Sequence, residues 1–461
     1  MVFSSISFLY YFLPVFLVLY FLTPVKYRNI TLLIGSLLFY FYGEQRYFYI
    51  IILMGLINYL IGNKLSKSKN KFILTIGIFI NIFVLFYFKY YDFFIQNFNN
   101  IFGFNISFLN IIIPLGISFF TFKNISYIAD IYNGKIQKAK NLFYYLTYLV
   151  MFPSLVQGPI VRYETVSEEL EKRSSSFNLF SKGVSRFVIG LSKKVILADT
   201  LGKFISSLSL IENQTILSAW LKAICDITRL YLDFSGYSDM AIGLGLMLGF
   251  HFLENFNYPF CASSLTDFWR RWHISLSSFF KDYIYIPLGG SRVNKFRKYL
   301  NIFIVWFVTG LWHGASWNFI SWGLYFGLFL VIEKKLFYKF FQKHKILGNI
   351  WTNILVIIGF VMFYQYNISD ITKLLGLMFG KNASLVNIET IYYLKNYLIL
   401  LIISFICCTP LIKNLILKLR KNKKWNVIIN ILEPISFIVL LIICTSFIID
   451  ASSSPFLYFR F

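Results

Sequence analysis

Apolar runs long enough to cross a bilayer recur along this chain, and short clusters of Lys and Arg separate them. A helical crossing takes about 20 apolar residues. Inside the hydrocarbon every backbone N–H and C=O must be satisfied by the protein itself, and α-helices meet that demand within each segment. The pattern therefore predicts an all-α, polytopic integral membrane protein with about ten transmembrane helices. Only 14% of the 461 residues are charged and 57% are apolar, against roughly 25% and 45–50% in soluble domains. That balance excludes an ordinary soluble globule, a disordered chain and a fibrous one.

The cations write the orientation. A net charge of +24 would suggest nucleic acid in a soluble protein. Here the Lys and Arg residues lie between apolar runs, as the bias of cytoplasmic loops requires, so the expected contact is membrane lipid and no nucleic acid. No cation precedes the first run, and Lys26 and Arg28 follow it. Lys64, Lys67, Lys69 and Lys71 mark a cytoplasmic loop, with further candidates at 135–140, 162–173 and Arg292 to Lys298. Lys413, Lys418, Arg420, Lys421, Lys423 and Lys424 precede a last span, Val427 to Ile449. Both termini are expected outside. The opening segment lacks a basic start and an A-x-A site, so it reads as a retained helix rather than a signal peptide.

The chain reads as one membrane domain over 1–461. Residues 1–104 are expected to be scaffold helices, 105–330 a catalytic core, and 331–461 C-terminal helices ending in an aromatic tail. The core is rich in Gly, Pro, Trp and polar residues at membrane depth. Re-entrant or broken helices belong there, since irregular backbone at that depth survives only when covered by protein or a water-filled cavity. Cys225, Cys261, Cys407, Cys408 and Cys444 form no C-x-x-C pair and meet no His at zinc spacing, so no metal is expected. The absence of a G-x-S-x-G elbow, a Walker loop and a dinucleotide fingerprint leaves hydrolase, ATPase and dehydrogenase classes without support.

Two of the four histidines have a context. His313 stands in Leu311-Trp-His-Gly-Ala315, expected inside an apolar helix of about 28 residues. Thr309 and Trp317 would share its face, and Gly310 and Gly314 would admit a neighbouring helix. An ionisable group at that depth is either functional or a neutral core histidine bonded across helices. His273 follows Asp267-Phe-Trp-Arg-Arg-Trp272, where Asp267 could cap a helix start. Arg270, Arg271, Lys281 and Arg292 could bind phosphates at the cytoplasmic interface, and Gly289-Gly290 could leave backbone N–H groups accessible. Plain interfacial anchoring on anionic lipid is the alternative. His251 and His344 carry no such context.

At these residues the sequence resembles the membrane-bound O-acyltransferase family, in its branch of bacterial alginate and peptidoglycan O-acetyltransferase membrane subunits. The likeness rests on Gly158-Pro-Ile-Val-Arg162, Asp233 to Ala241, Glu254-Asn-Phe-Asn-Tyr-Pro-Phe260, the 267–290 block and Leu311 to Ala315, in order. Lys281 departs from the Arg usual there. The resemblance implies helices around a central tunnel in a bacterial cytoplasmic membrane, with His313 and His273 catalytic. It also implies acetyl-CoA as the donor from inside, a cell-envelope polysaccharide as acceptor, and an extracytoplasmic serine-triad (SGNH-type) acetyltransferase as partner. Tyr458, in the closing Pro455-Phe-Leu-Tyr-Phe-Arg-Phe461, matches the position of a transient acyl carrier. Physically, a histidine titrating near neutrality suits the base that activates an attacking hydroxyl. The competing readings are a D-alanyl transfer subunit for teichoic acids and a non-enzymatic export scaffold.

Overall fold

The computed structural model describes residues 2–365 and 367–450, so the tail bearing Tyr458 lies outside the described residues. Helices make up 77% of the chain and no strand occurs among the described residues, which makes the fold all-α. The described chain divides into two compact units.

The first unit runs up to Phe187 and includes Met240–Glu254. Its helices Phe48–Lys67 (α1) and Lys71–Lys89 (α2) are joined by the lysine cluster, and Asn58 and Asn81 exchange side-chain hydrogen bonds between them at 3.2 and 2.7 Å. Ile117–Tyr132 (α3) is buried along nearly its whole length. Its Lys123 donates to Ser154 Oγ at 2.9 Å and to the carbonyls of Tyr148 and Leu149 at 3.4 Å. Those carbonyls end Leu142–Val150 (α4), so the Lys123 amine satisfies acceptors that the helix end leaves without intrahelical donors.

The second unit comprises Val188–Asp239 and the residues from Asn255 on. It takes the greater part of Ile216–Met247 (α5), whose Asp233 meets the buried Lys194 at 2.9 Å. Then come two short helices, Leu265–Arg271 (α6) and Ile274–Phe280 (α7), and a hairpin of Lys295–His313 (α8) and Trp317–Ile332 (α9). Lys345–Tyr364 (α10) and Lys423–Asp450 (α11) follow.

By length and composition α1, α2, α10 and α11 can each cross a membrane. The pair Ile388–Asn396 and Leu398–Cys407, bent by 59°, makes a fifth crossing if taken as one. The expected ten crossings are not confirmed. Several core helices are too short, such as the 16-residue α9, or too charged at one end, such as α8 with Lys295, Arg297 and Lys298.

Candidate active site

His313 is the last residue of α8 rather than an interior one. Gly314 is fully extended, and α9 starts three residues later. The single helix of about 28 residues expected around His313 is therefore two helices folded back on each other. Small residues make that reversal possible: a methyl group at Gly310 would overlap the carbonyl of Phe319, and one at Gly323 the carbonyl of Trp306. The neighbour admitted by these glycines is thus the next helix in the chain. Thr309 lines the same cavity as His313, whereas Trp317 starts α9 and is 57% exposed. The imidazole itself is 5% exposed, edge-on to Trp322 at 5.0 Å and to Phe363 at 5.3 Å.

His273 stands at the elbow between α6 and α7, each of seven residues and about 10 Å long, too short to cross a membrane. Ser264, not Asp267, caps α6: its hydroxyl accepts from Asp267 N at 3.1 Å. The Asp267 carboxylate instead takes Arg271 Nε at 3.0 Å. A second carboxylate completes the cap from far along the chain. Glu333, wholly buried at the turn that follows α9, accepts from Leu265 N at 2.7 Å and Thr266 N at 3.3 Å. Burial pushes the Glu333 carboxyl up, and these N–H bonds pull it back down.

The His273 ring lies edge-on to Phe234 at 4.7 Å and 5.9 Å from Trp312, whose indole is in turn 4.9 Å from His313. One tryptophan therefore separates the two imidazoles. Burial lowers His273 to about 3, so it is neutral at physiological pH, and its Nε2 has no hydrogen-bond partner among the described residues.

Both histidines line one cavity of about 460 Å³, within the range of small-molecule sites. Its walls are largely apolar, with Trp269, Trp306, Phe280 and Leu330, and Arg270, Lys281 and Lys334 add cations. Burial, then the neighbouring Lys298 and Arg270 cations, hold the Lys334 ammonium below its ordinary value. Cations crowded this way suit a ligand with several phosphate charges and an apolar arm. Arg271 is engaged with Asp267 and Arg292 is exposed; neither lines the cavity. The expected free N–H groups at Gly289 and Gly290 are absent too, because they donate to Ile286 O at 2.9 Å and Tyr285 O at 2.8 Å.

Lys334 escaped the sequence reading, although a Glu-Lys-Lys cluster right after an apolar run is the signal of a cytoplasmic helix end. His251 also has a context that sequence spacing hid. Its backbone N and Nδ1 reach the Glu169 carboxylate at 3.0 and 2.5 Å, at an exposed position. Among the described residues no group of three or more His, Cys, Asp or Glu side chains could hold a metal ion.

The model of the membrane-bound O-acyltransferase family matches residues 135–369. The probable alginate O-acetylase AlgI of Pseudomonas aeruginosa is 41% identical over 82% of this chain and 75% of its own length. The peptidoglycan O-acetyltransferase of Helicobacter pylori is 32% identical over 100% of this chain and 98% of its own. The teichoic acid D-alanyltransferase of Bacillus subtilis is 31% identical over 54% of this chain and 66% of its own.

Proposed function

Because the chain belongs to the membrane-bound O-acyltransferase family and is an O-acyltransferase, we propose that it carries an acetyl group from cytoplasmic acetyl-CoA toward hydroxyls of an extracytoplasmic cell-envelope polysaccharide. The observation that carries this reading is the single cavity on which His313, His273 and three cations converge. Arg270, Lys281 and Lys334 would take the phosphates of the donor, and the apolar wall its pantetheine arm. His313 removes the proton of the attacking hydroxyl as that oxygen bonds to the thioester carbonyl carbon, and the thiolate of coenzyme A leaves. A positioned base of this kind contributes typically 10²–10⁴-fold. His273, neutral and buried, orients the donor or the catalytic helix rather than titrating.

In the same reading the protein lies in the bacterial cytoplasmic membrane with both termini outside, as the lysine and arginine clusters suggest. An SGNH-type partner outside receives the acetyl group and selects the sugar hydroxyl. Tyr458 is the candidate carrier between the two: a phenol esterified there would retain enough transfer potential to acylate a serine.

The test is the O-acetyl content of wall polysaccharide from a deletion strain. The wild-type gene should restore it, while His313→Ala should not, with the variant present at wild-type level in membranes. Tyr458→Phe should likewise block polymer acetylation. Near-normal acetylation in the His313 variant would sink the assignment of the base.

A further inference from the structure

The backbone of His273 is held in a conformation that a residue other than glycine does not keep unaided. Its φ of 44° and ψ of 57° lie in the left-handed region. L-residues pay for that region and stay there only where neighbours over-determine it, although histidine tolerates it better than most. The neighbours that do so come from the Glu254–Phe260 stretch. Before His273, Arg271 O accepts from Asn257 N at 2.9 Å. After it, Ile274 N donates to Asn255 O at 2.9 Å, and Ser275 N and Ser275 Oγ donate to Asn255 Oδ1 at 3.2 and 2.9 Å. Asn255 Nδ2 then donates to Ser238 Oγ at 3.1 Å on α5. Asn255 is wholly buried.

The orientation of this amide is fixed by its partners, because Ser275 N can only donate and so must face the oxygen. The Asn255 side chain thus joins α5 to Ser275 in the first turn of α7, while its backbone carbonyl holds Ile274, so one residue fixes both positions that follow His273. Nothing in the acyl-transfer chemistry uses it.

We infer that Asn255 is a positioning residue of the acyl-transfer site: it sets the left-handed backbone of His273 and hence the direction in which that imidazole meets the cavity. The inference rests on the acyl-transfer reading above. An asparagine that merely glued α5 to α7 would make the same bonds, so the two roles must be separated by what happens when the strain at His273 is removed. Glycine adopts a left-handed backbone without steric cost. In a His273→Gly background a residue whose task is to hold that backbone loses its task, and simple glue does not.

The experiment uses the full chain in detergent, with acetyl-CoA as the donor and a wall-polysaccharide fragment supplying the acceptor hydroxyl. Coenzyme A release and the thermal midpoint are measured for wild type, Asn255→Ala, His273→Gly, the double variant and Ser238→Ala. Asn255→Ala should lower kcat by about tenfold or more while KM stays within about threefold, since the amide does not hold Arg270, Lys281 or Lys334. Its loss in thermal midpoint should shrink by about half or more in the His273→Gly background, as coupled sites require. Ser238→Ala, which removes only the outer partner of the amide, should lower kcat by about threefold. Wild-type kcat in folded Asn255→Ala, a loss confined to KM, or equal losses of midpoint in both backgrounds would each overturn the inference. If Asn255→Ala does not fold, unchanged kcat in Ser238→Ala overturns it instead. A wild-type chain that releases no coenzyme A would contradict the acyl-transfer reading alone, and the midpoint cycle would still judge the role of Asn255.

Discussion

The two histidines of the cavity stand at helix breaks of opposite construction. At His313 the break is made by leaving atoms out. Gly310 and Gly323 let the backbones of α8 and α9 touch, and the Phe319 ring takes the space that a side chain at Gly314 would need. At His273 the break is made by adding directional bonds: Ser264 and Glu333 satisfy the first N–H groups of α6, and Asn255 satisfies those after the elbow. The first design suits an apolar surround, where close packing of small residues holds helices together without a hydrophobic driving force. The second belongs to short helices whose exposed backbone groups would otherwise be buried without partners. One junction should fail when volume is added, the other when an acceptor is taken away.

The largest expected effect comes from adding volume. Gly323→Val drives side-chain carbons into the Trp306 carbonyl, and overpacking of this kind costs about 1–3 kcal/mol or more. A sharp fall in thermal midpoint and loss of acetylation should follow. An unchanged midpoint would mean that the hairpin is looser than its backbone contacts imply.

Taking away an acceptor comes next. Glu333→Ala strands two N–H groups of α6, and a buried unsatisfied group costs about 1–3 kcal/mol. The midpoint should drop accordingly, and Glu333→Gln, which keeps an amide oxygen, should recover part of it. Equal losses in the two variants would deny the capping role.

Acid should then separate the histidines' surroundings. His273 is lowered to about 3 in the folded chain, below the ordinary 6.5 or so of an unfolded histidine. As pH falls from about 6.5 toward 3, the unfolded chain takes up a proton that the folded chain refuses, so stability declines across that window. Above it the contribution is constant. In His273→Gln this part of the pH dependence of the midpoint should flatten; an unaltered slope would place the ring in a wetter setting.

The smallest effect is expected at the cationic rim. Lys334→Ala should raise KM for acetyl-CoA by about three- to tenfold and weaken its dependence on salt, leaving kcat nearly unchanged. A change in kcat alone would remove Lys334 from donor binding.

What the sequence made legible divides along the same line. Helices such as α2 and α11 announce themselves, because length and hydropathy suffice for a segment that faces lipid. The hairpin at His313 did not, because Gly-Ala-Ser within an apolar run is compatible with a continuing helix. Only backbone contact with Phe319 and Trp306 shows that the chain turns. Residues from one contiguous block, Arg270, His273 and Lys281, could be grouped by proximity in sequence, and they do share a cavity with His313. Glu333 and Asn255 could not be assigned, since a carboxylate 68 residues from the helix it caps leaves no periodic trace. Arg271 shows the converse: adjacency in sequence groups it with Arg270, and its helical position four residues after Asp267 pairs it locally.

The proposed acyl transfer places its base at His313, in the cavity that both histidines share. Coenzyme A released from acetyl-CoA by the purified, folded chain, measured beside His313→Ala, tests it most directly. Steady release is expected from the wild type when an acceptor hydroxyl is present, with a loss of about a hundredfold or more in the variant and donor binding retained. Equal release by the two proteins would contradict it.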